Sequence, residues 1–184
     1  MAKQPEKTNF NKSKRFNLAL TWAEVDWRPF RQEILDIANK IGRTKAGSSR
    51  EAIPYGPEYY ALEPLLDAYQ AKIAMHLEFR KKLSAEDVSK ASGEPIDQVK
   101  SALEHIAWAG VAFVNTIDGV DQYWQDIFVP GHLELINNNK EIVAKHPEVA
   151  EAFYFFGSKK GPMAAGIMPI GGGPMRVLPI ERSI

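Results

Sequence analysis

Between Ser84 and Val129 the helix-starting and helix-breaking residues fall at intervals that leave little choice of architecture. Ser84, with Asp87 three residues on, forms a capping-box-like start in which Asp replaces the usual Glu or Gln. The helix it opens, Ala85 to Ser92, ends at Gly93. Pro95 then occupies the first position of a second helix, and Ile96, Val99, Leu103, Ile106 and Ala107 recur on its inner face until Gly110. An apolar run from Val111 to Val114, the pair Asp118-Gly119 and an aromatic-rich run from Val120 to Val129 read as a β-hairpin. Helix, tight turn, helix, hairpin is the order of a winged helix-turn-helix. The expected fold is therefore mainly α with a small hairpin (α+β), with such a core over about residues 65–130.

The rest of the 184-residue chain reads as extensions of that core. Residues 1–25 form a basic arm carrying Lys3, Lys7, Lys12, Lys14 and Arg15 against the single acid Glu6 over its first 20 positions, and termini of this composition are usually solvated. Residues 26–160 are expected to be a helical domain. A helix near Asp26 and Pro29 buries Phe30, Ile34, Ile37, Ala38 and Ile41, and stops at Gly42. Arg43 to Tyr55 is a connector, and after Pro64 a second stripe holds Leu65, Leu66, Tyr69, Ile73, His76 and Leu77. His132 to His146 reads as one or two short helices, and Pro147 starts another with Val149, Ala150, Phe153 and Phe156 inside. Residues 161–184 hold five glycines, four prolines and three methionines, which reads as an extended apolar tail lying on a neighbouring domain or subunit.

Composition narrows the chemistry. The absence of cysteine excludes disulfides, thiol catalysis and cysteine-ligated iron–sulfur clusters in this polypeptide. No apolar run approaches the ~20 residues of a membrane span, and nothing at the N-terminus reads as a secretory signal, so the expected location is cytoplasmic, with no membrane partner. Charges balance at 23 of each sign, yet from Glu94 to Pro130 six acids (Glu94, Asp97, Glu104, Asp118, Asp121, Asp126) face one base, Lys100, a net charge of −5. DNA binding draws its non-specific affinity from Lys and Arg on phosphates. The exposed positions of the second helix offer Asp97, Gln98, Ser101, Glu104 and His105 instead. The arm and Arg80-Lys81-Lys82 compensate only if they lie beside that helix, so nucleic acid is not the expected partner.

No residue is assigned a catalytic, cofactor-binding or metal-binding role. Of the four histidines, His76 sits on an apolar stripe and reads as a hydrogen-bonded core or boundary residue. Glu104 and His105 are adjacent on a helix, so their side chains diverge. His132 and Glu134 flank a helix start, where Glu suits the dipole without catalysis. His146 completes the set of possible ligands or bases. Gly171-Gly172-Gly173 lacks the Lys and Ser or Thr of a phosphate loop, and Pro174 breaks the helix such a loop needs. Trp108, Tyr123, Trp124 and Phe128 read first as core, then as interface, and last as a small-molecule cage.

A resemblance sharpens the expectation. Tyr55-Gly56-Pro57-Glu58-Tyr59, Leu62-Glu63-Pro64, Leu77 to Lys81, Ser84 to Val88, Val114 to Asp121, Val129-Pro130-Gly131, Asn138 to Glu141 and Met175 to Glu181 follow one another in order. Together, over about residues 50–184, they resemble the N-terminal region of ferredoxin-type 4Fe-4S proteins of anaerobic bacteria, some of them associated with pyridine nucleotide-disulfide oxidoreductases. The resemblance implies a non-catalytic docking or dimerisation module of an electron-transfer system, with the cluster or a flavin on a separate partner or on a C-terminal region beyond Ile184. Arg176, Pro179 and Glu181 match the family's terminal motif as tail-docking residues. The alternative reading of the same fold is a winged-helix transcriptional regulator.

Overall fold

A computed structural model describes residues 29–42, 52, 54, 56–126, 128–150 and 152. Helix α1 (Gln32–Gly42) buries Ile34, Leu35, Ile37, Ala38 and Ile41, the stripe its 3.6-residue spacing predicts. It starts at Gln32 rather than at Pro29 because the segment before it is held from outside. The Arg31 backbone N–H donates to the Tyr59 hydroxyl at 2.9 Å. The Arg31 guanidinium donates through Nη1 to the carbonyls of Glu63 (3.2 Å) and Leu66 (2.7 Å). One arginine thus satisfies carbonyls at the end of α2 (Pro57–Leu62) and in the turn that follows it.

Helix α2 was not foreseen from the sequence pattern. Tyr59, Tyr60, Ala61 and Leu62 are all buried, so no polar face alternates with an apolar one. Helix α3 (Ala68–Ala74) is shorter than the stripe from Leu65 to Leu77 implies. It begins at Asp67, which accepts from the Gln70 backbone N–H while the Gln70 side chain accepts from the Asp67 N–H, a complete capping box. Leu65 and Leu66 precede the helix and Leu77 follows it, yet all three are buried.

The central segment follows the sequence closely. After β1 (Leu83–Ser84) comes α4 (Ala85–Ser92), then α5 (Ile96–Trp108), β2 (Phe113–Ile117) and β3 (Val120–Trp124). Ser84 and Asp87 make the reciprocal cap: Asp87 N–H donates to Ser84 Oγ at 3.2 Å, and Ser84 N–H to Asp87 Oδ2 at 2.9 Å. These bonds to Ser84 hold the Asp87 carboxyl below its ordinary range, and its carboxylate form is the one that caps. Ser84→Ala should therefore cost about 1 kcal/mol and lower Tm by about 2–4 °C, read by thermal circular dichroism. Val99, Ala102, Leu103 and Ile106 of α5 are buried against α3 and α4.

The three strands form one antiparallel sheet in the order β1-β3-β2. The turn at Asp118 and Gly119 has positive φ at both residues (51° and 79°), the form whose twist matches the strands it joins. The third strand, β1, was not foreseen. It is two residues long and exists by pairing Leu83 with Tyr123 and Ser84 with Gln122. The hairpin ends at Trp124, ahead of the expected Val129, and a π-helical turn (Phe128–His132) leads into α6 (Leu133–Asn138) and α7 (Lys140–Lys145). Residues 147–150 are helical, and Val149 is buried. The fold is thus mostly helical with a small antiparallel sheet. No helix among the described residues is long and apolar enough to cross a membrane. The arm 1–25, most of the connector, Phe153, Phe156 and the tail 161–184 lie outside the described residues.

Candidate functional site

Three surfaces gather the polar and aromatic residues that the sequence singles out. The first is the exposed side of α5 with the hairpin tip. Asp97, Gln98, Lys100, Ser101, Glu104 and Trp108 are exposed, as are Asp118 and Asp121. Lys100, the one base in this exposed set, is already engaged: its Nζ lies 3.5 Å from Glu86 Oε1 on α4. Asp126 and Glu94 have partners outside the segment. Arg80 grips Asp126 with Nη2 at 3.0 Å, and Lys72 meets Glu94 at 2.5 Å. Asp97, Glu104 and Asp118 have no cation within ion-pair distance among the described residues. The potential over α5 and the hairpin tip is therefore negative.

Two of the three nearby bases are paired with acids. Arg80 is committed to Asp126, Lys81 pairs with Glu78 at 2.6 Å, and Lys82 Nζ stands 5.7 Å from the centre of the Trp124 ring. Arg80 is also fixed through its backbone, which has a φ of 54° and donates to Gln125 O at 2.7 Å. The Gln125 side chain, buried, donates to Ala74 O at 3.0 Å. The end of α3 is thereby tied to the end of β3.

The second surface is a groove of about 540 Å³ between the start of α3 and α5, lined by Asp67, Tyr69, Gln70, Asp97, Gln98, Ser101, Ala102 and His105. His105 Nε2 lies 2.8 Å from Leu65 O; a carbonyl only accepts, so Nε2 carries the proton and donates. The Tyr69 hydroxyl is shielded from solvent with no hydrogen-bond partner among the described residues. The groove offers two hydroxyls, Tyr69 and Ser101, beside amides and carboxylates, and no hydrogen bond joins Ser101 to His105 among the described residues.

The third is the face of the hairpin. The four aromatic residues proposed as one group divide between environments. Tyr123 and Phe128 belong to the core. Trp124 stacks on Phe113 at 5.8 Å, whereas Trp108, 49% exposed, sits beside His105 at 5.5 Å.

The histidines also separate. His76 is half-buried at the end of α3, a boundary position. His146 Nδ1 lies 3.5 Å from Glu148 Oε1. His132 is fully buried, with Nδ1 3.0 Å from Gly110 O and Nε2 accepting the Asp126 N–H at 3.0 Å. Glu134 accepts the Gly131 N–H at 2.6 Å just before α6. No three His, Asp or Glu side chains converge to hold a metal among the described residues. No protein-family model, no curated protein and no solved structure matches this chain.

Proposed function

We propose that this chain is a winged-helix-type module that works by docking to protein, within an iron–sulfur or flavin-dependent electron-transfer system whose cofactor a partner carries. The observation that carries the docking half is electrostatic. Helix α5 and the hairpin tip, the elements such a fold would lay against a duplex, expose Asp97, Glu104, Asp118 and Asp121, while Lys100 is tied to Glu86. Phosphate contacts by Lys and Arg supply most non-specific DNA affinity, and this surface inverts their sign. A protein partner with a basic docking patch suits it. The redox half is supported by the ordered blocks that resemble ferredoxin-type proteins.

A second reading, a DNA-binding regulator, is favoured by the element order itself. Strand, helix, helix and hairpin with sheet order β1-β3-β2 is the arrangement expected of a winged helix. A gel-shift titration with random duplex DNA separates the two. Docking predicts no shift at about 10 µM protein in about 150 mM salt. A shift that weakens steeply as salt rises would establish the regulator and end the docking reading.

A further inference from the structure

The outer edge of β2 is built to pair with itself. In a two-residue hairpin the residues flanking the turn form a hydrogen-bonded pair, and such pairs alternate with non-hydrogen-bonded ones along the ladder. The observed register, Ile117↔Val120, Thr116↔Asp121, Asn115↔Gln122, Val114↔Tyr123 and Phe113↔Trp124, therefore turns the N–H and C=O groups of Val114 and Thr116 outward. Neither makes a further backbone hydrogen bond among the described residues. The strand Phe113-Val114-Asn115-Thr116-Ile117 carries no charge, no proline and no bulge, the devices by which edges are usually blocked. Three of the exposed large apolar side chains cluster on this hairpin: Val114 (46%), Ile117 (37%) and Val120 (45%).

We infer that two copies of this chain associate through antiparallel β2–β2 pairing about a two-fold axis at Asn115. The register is self-complementary. Val114 faces the partner's Thr116 as a hydrogen-bonded pair on both sides of the axis, so every outward N–H and C=O finds a partner. Asn115 meets its own copy in a non-hydrogen-bonded pair, where side chains approach most closely. The exposed Ile117 comes to rest against the partner's Phe113. The charges also agree: Asp118 falls opposite the partner's Ala112, and the two acidic tips lie at opposite ends of the joint sheet, so no like charges are opposed. An isologous contact of this kind closes at two chains rather than growing into a filament.

This deepens the docking reading by making one docking partner a second copy, but it stands on the sheet edge alone. The chain has no cysteine, so Asn115→Cys introduces a single thiol. Across the axis the two Cα atoms would be about 4.5 Å apart, within the ~4.4–6.8 Å span of disulfides. With oxidised glutathione, Asn115→Cys should become mostly disulfide-linked dimer. Val120→Cys, equally exposed but about 20 Å from its copy by strand spacing, should crosslink at least tenfold more slowly. A five-residue edge is a small interface, so light scattering at about 100 µM is where wild type should show the mass of two chains. Thr116→Pro, which removes an outward N–H without touching the β3 ladder, should show the mass of one, with circular dichroism confirming its fold. A wild-type mass of one chain, or Asn115→Cys crosslinking no faster than Val120→Cys, overturns the self-pairing. The DNA titration tests the docking reading separately, so either can fail alone.

Discussion

Gly110→Ala should lower stability by about 3–5 kcal/mol and Tm by about 10 °C, one of the two largest losses expected of any single conservative change here. Two costs coincide at this position. Gly110 has a φ of +77°, where a residue with a Cβ costs roughly 1–2 kcal/mol. A Cβ built there would also stand 2.8 Å from Ile136 N and 3.0 Å from Leu135 C, both backbone atoms of α6. No rotamer change relieves that clash; α6 itself must move, and with it the buried Leu133 and Ile136. Gly93 supplies the comparison. It has nearly the same φ, +73°, but nothing lies within 4 Å of its added Cβ. Gly93→Ala should therefore lose only the conformational part, about 1–2 kcal/mol. Urea titrations of the two variants measure the difference, which is the energy of the close approach. Equal losses at both positions would mean that α6 yields without cost.

The contrast between those glycines also shows what could be read from the amino-acid order. Gly93 and Gly110 both signal a helix end, and α4 and α5 end where they predict. Caps are local chemistry, so Ser84, Asp87 and Pro95 place their helices to within a residue. The seat of α6 against Gly110 joins residues 26 positions apart, and nothing at either site announces it. Helix α2 has no amphipathic signature because buried Tyr59 and Tyr60 leave no polar face, and Pro57 in its first turn is the one local signal of its start. Strand β1 has no pattern of its own, being defined by Tyr123 and Gln122 on its partner. Likewise Asp67 and Gln70 outrank the apolar stripe that begins at Leu65, because a satisfied capping box fixes a start that hydrophobic spacing only brackets.

The charge count of the α5 and hairpin segment was legible, but its meaning depends on distances. Two of the six acids, Glu94 and Asp126, are neutralised by Lys72 and Arg80. Arg80 is 46 residues from its partner in sequence. The same pairing removes Arg80 from the bases that could have offset the acidic face. The pairing therefore leaves the negative potential on Asp97 and Glu104 of α5 and on Asp118 and Asp121 of the hairpin. A basic protein partner seated on α5 through Asp97 and Glu104 can thus bind beside a second copy paired along β2 without sharing those side chains.

Between pH 6.5 and about 4 the protein should lose about 3 kcal/mol of stability through His132 alone. His132 is fully buried and neutral: Nδ1–H donates to Gly110 O, and Nε2 accepts the Asp126 N–H, each at 3.0 Å, with Phe113 packed 5.2 Å from the ring. A second proton would have to sit on Nε2, opposite a donor, and would put a charge in the core. Burial accordingly pushes the imidazole down to about 4, against a smaller opposing pull from the Gly110 carbonyl and the Asp126 carboxylate. The unfolded chain takes up that proton near pH 6.5 and the folded chain does not, so the unfolded state binds more protons throughout the interval. Stability is complete above pH 6.5 and falls by about 1.4 kcal/mol per pH unit until the folded site titrates. Glu86 and Asp87, held below their ordinary values by bonds at the α4 cap, lose their contributions only at lower pH. Urea unfolding at pH 7, 6 and 5 isolates the histidine. His132→Leu should be less stable than wild type at pH 7 by about 2–4 kcal/mol, because Gly110 O and the Asp126 N–H are left unpaired. It should also lose most of the slope, so the two curves converge toward pH 5. Parallel curves would show that the imidazole titrates alike in both states, and the neutral, doubly bonded ring described here would be wrong.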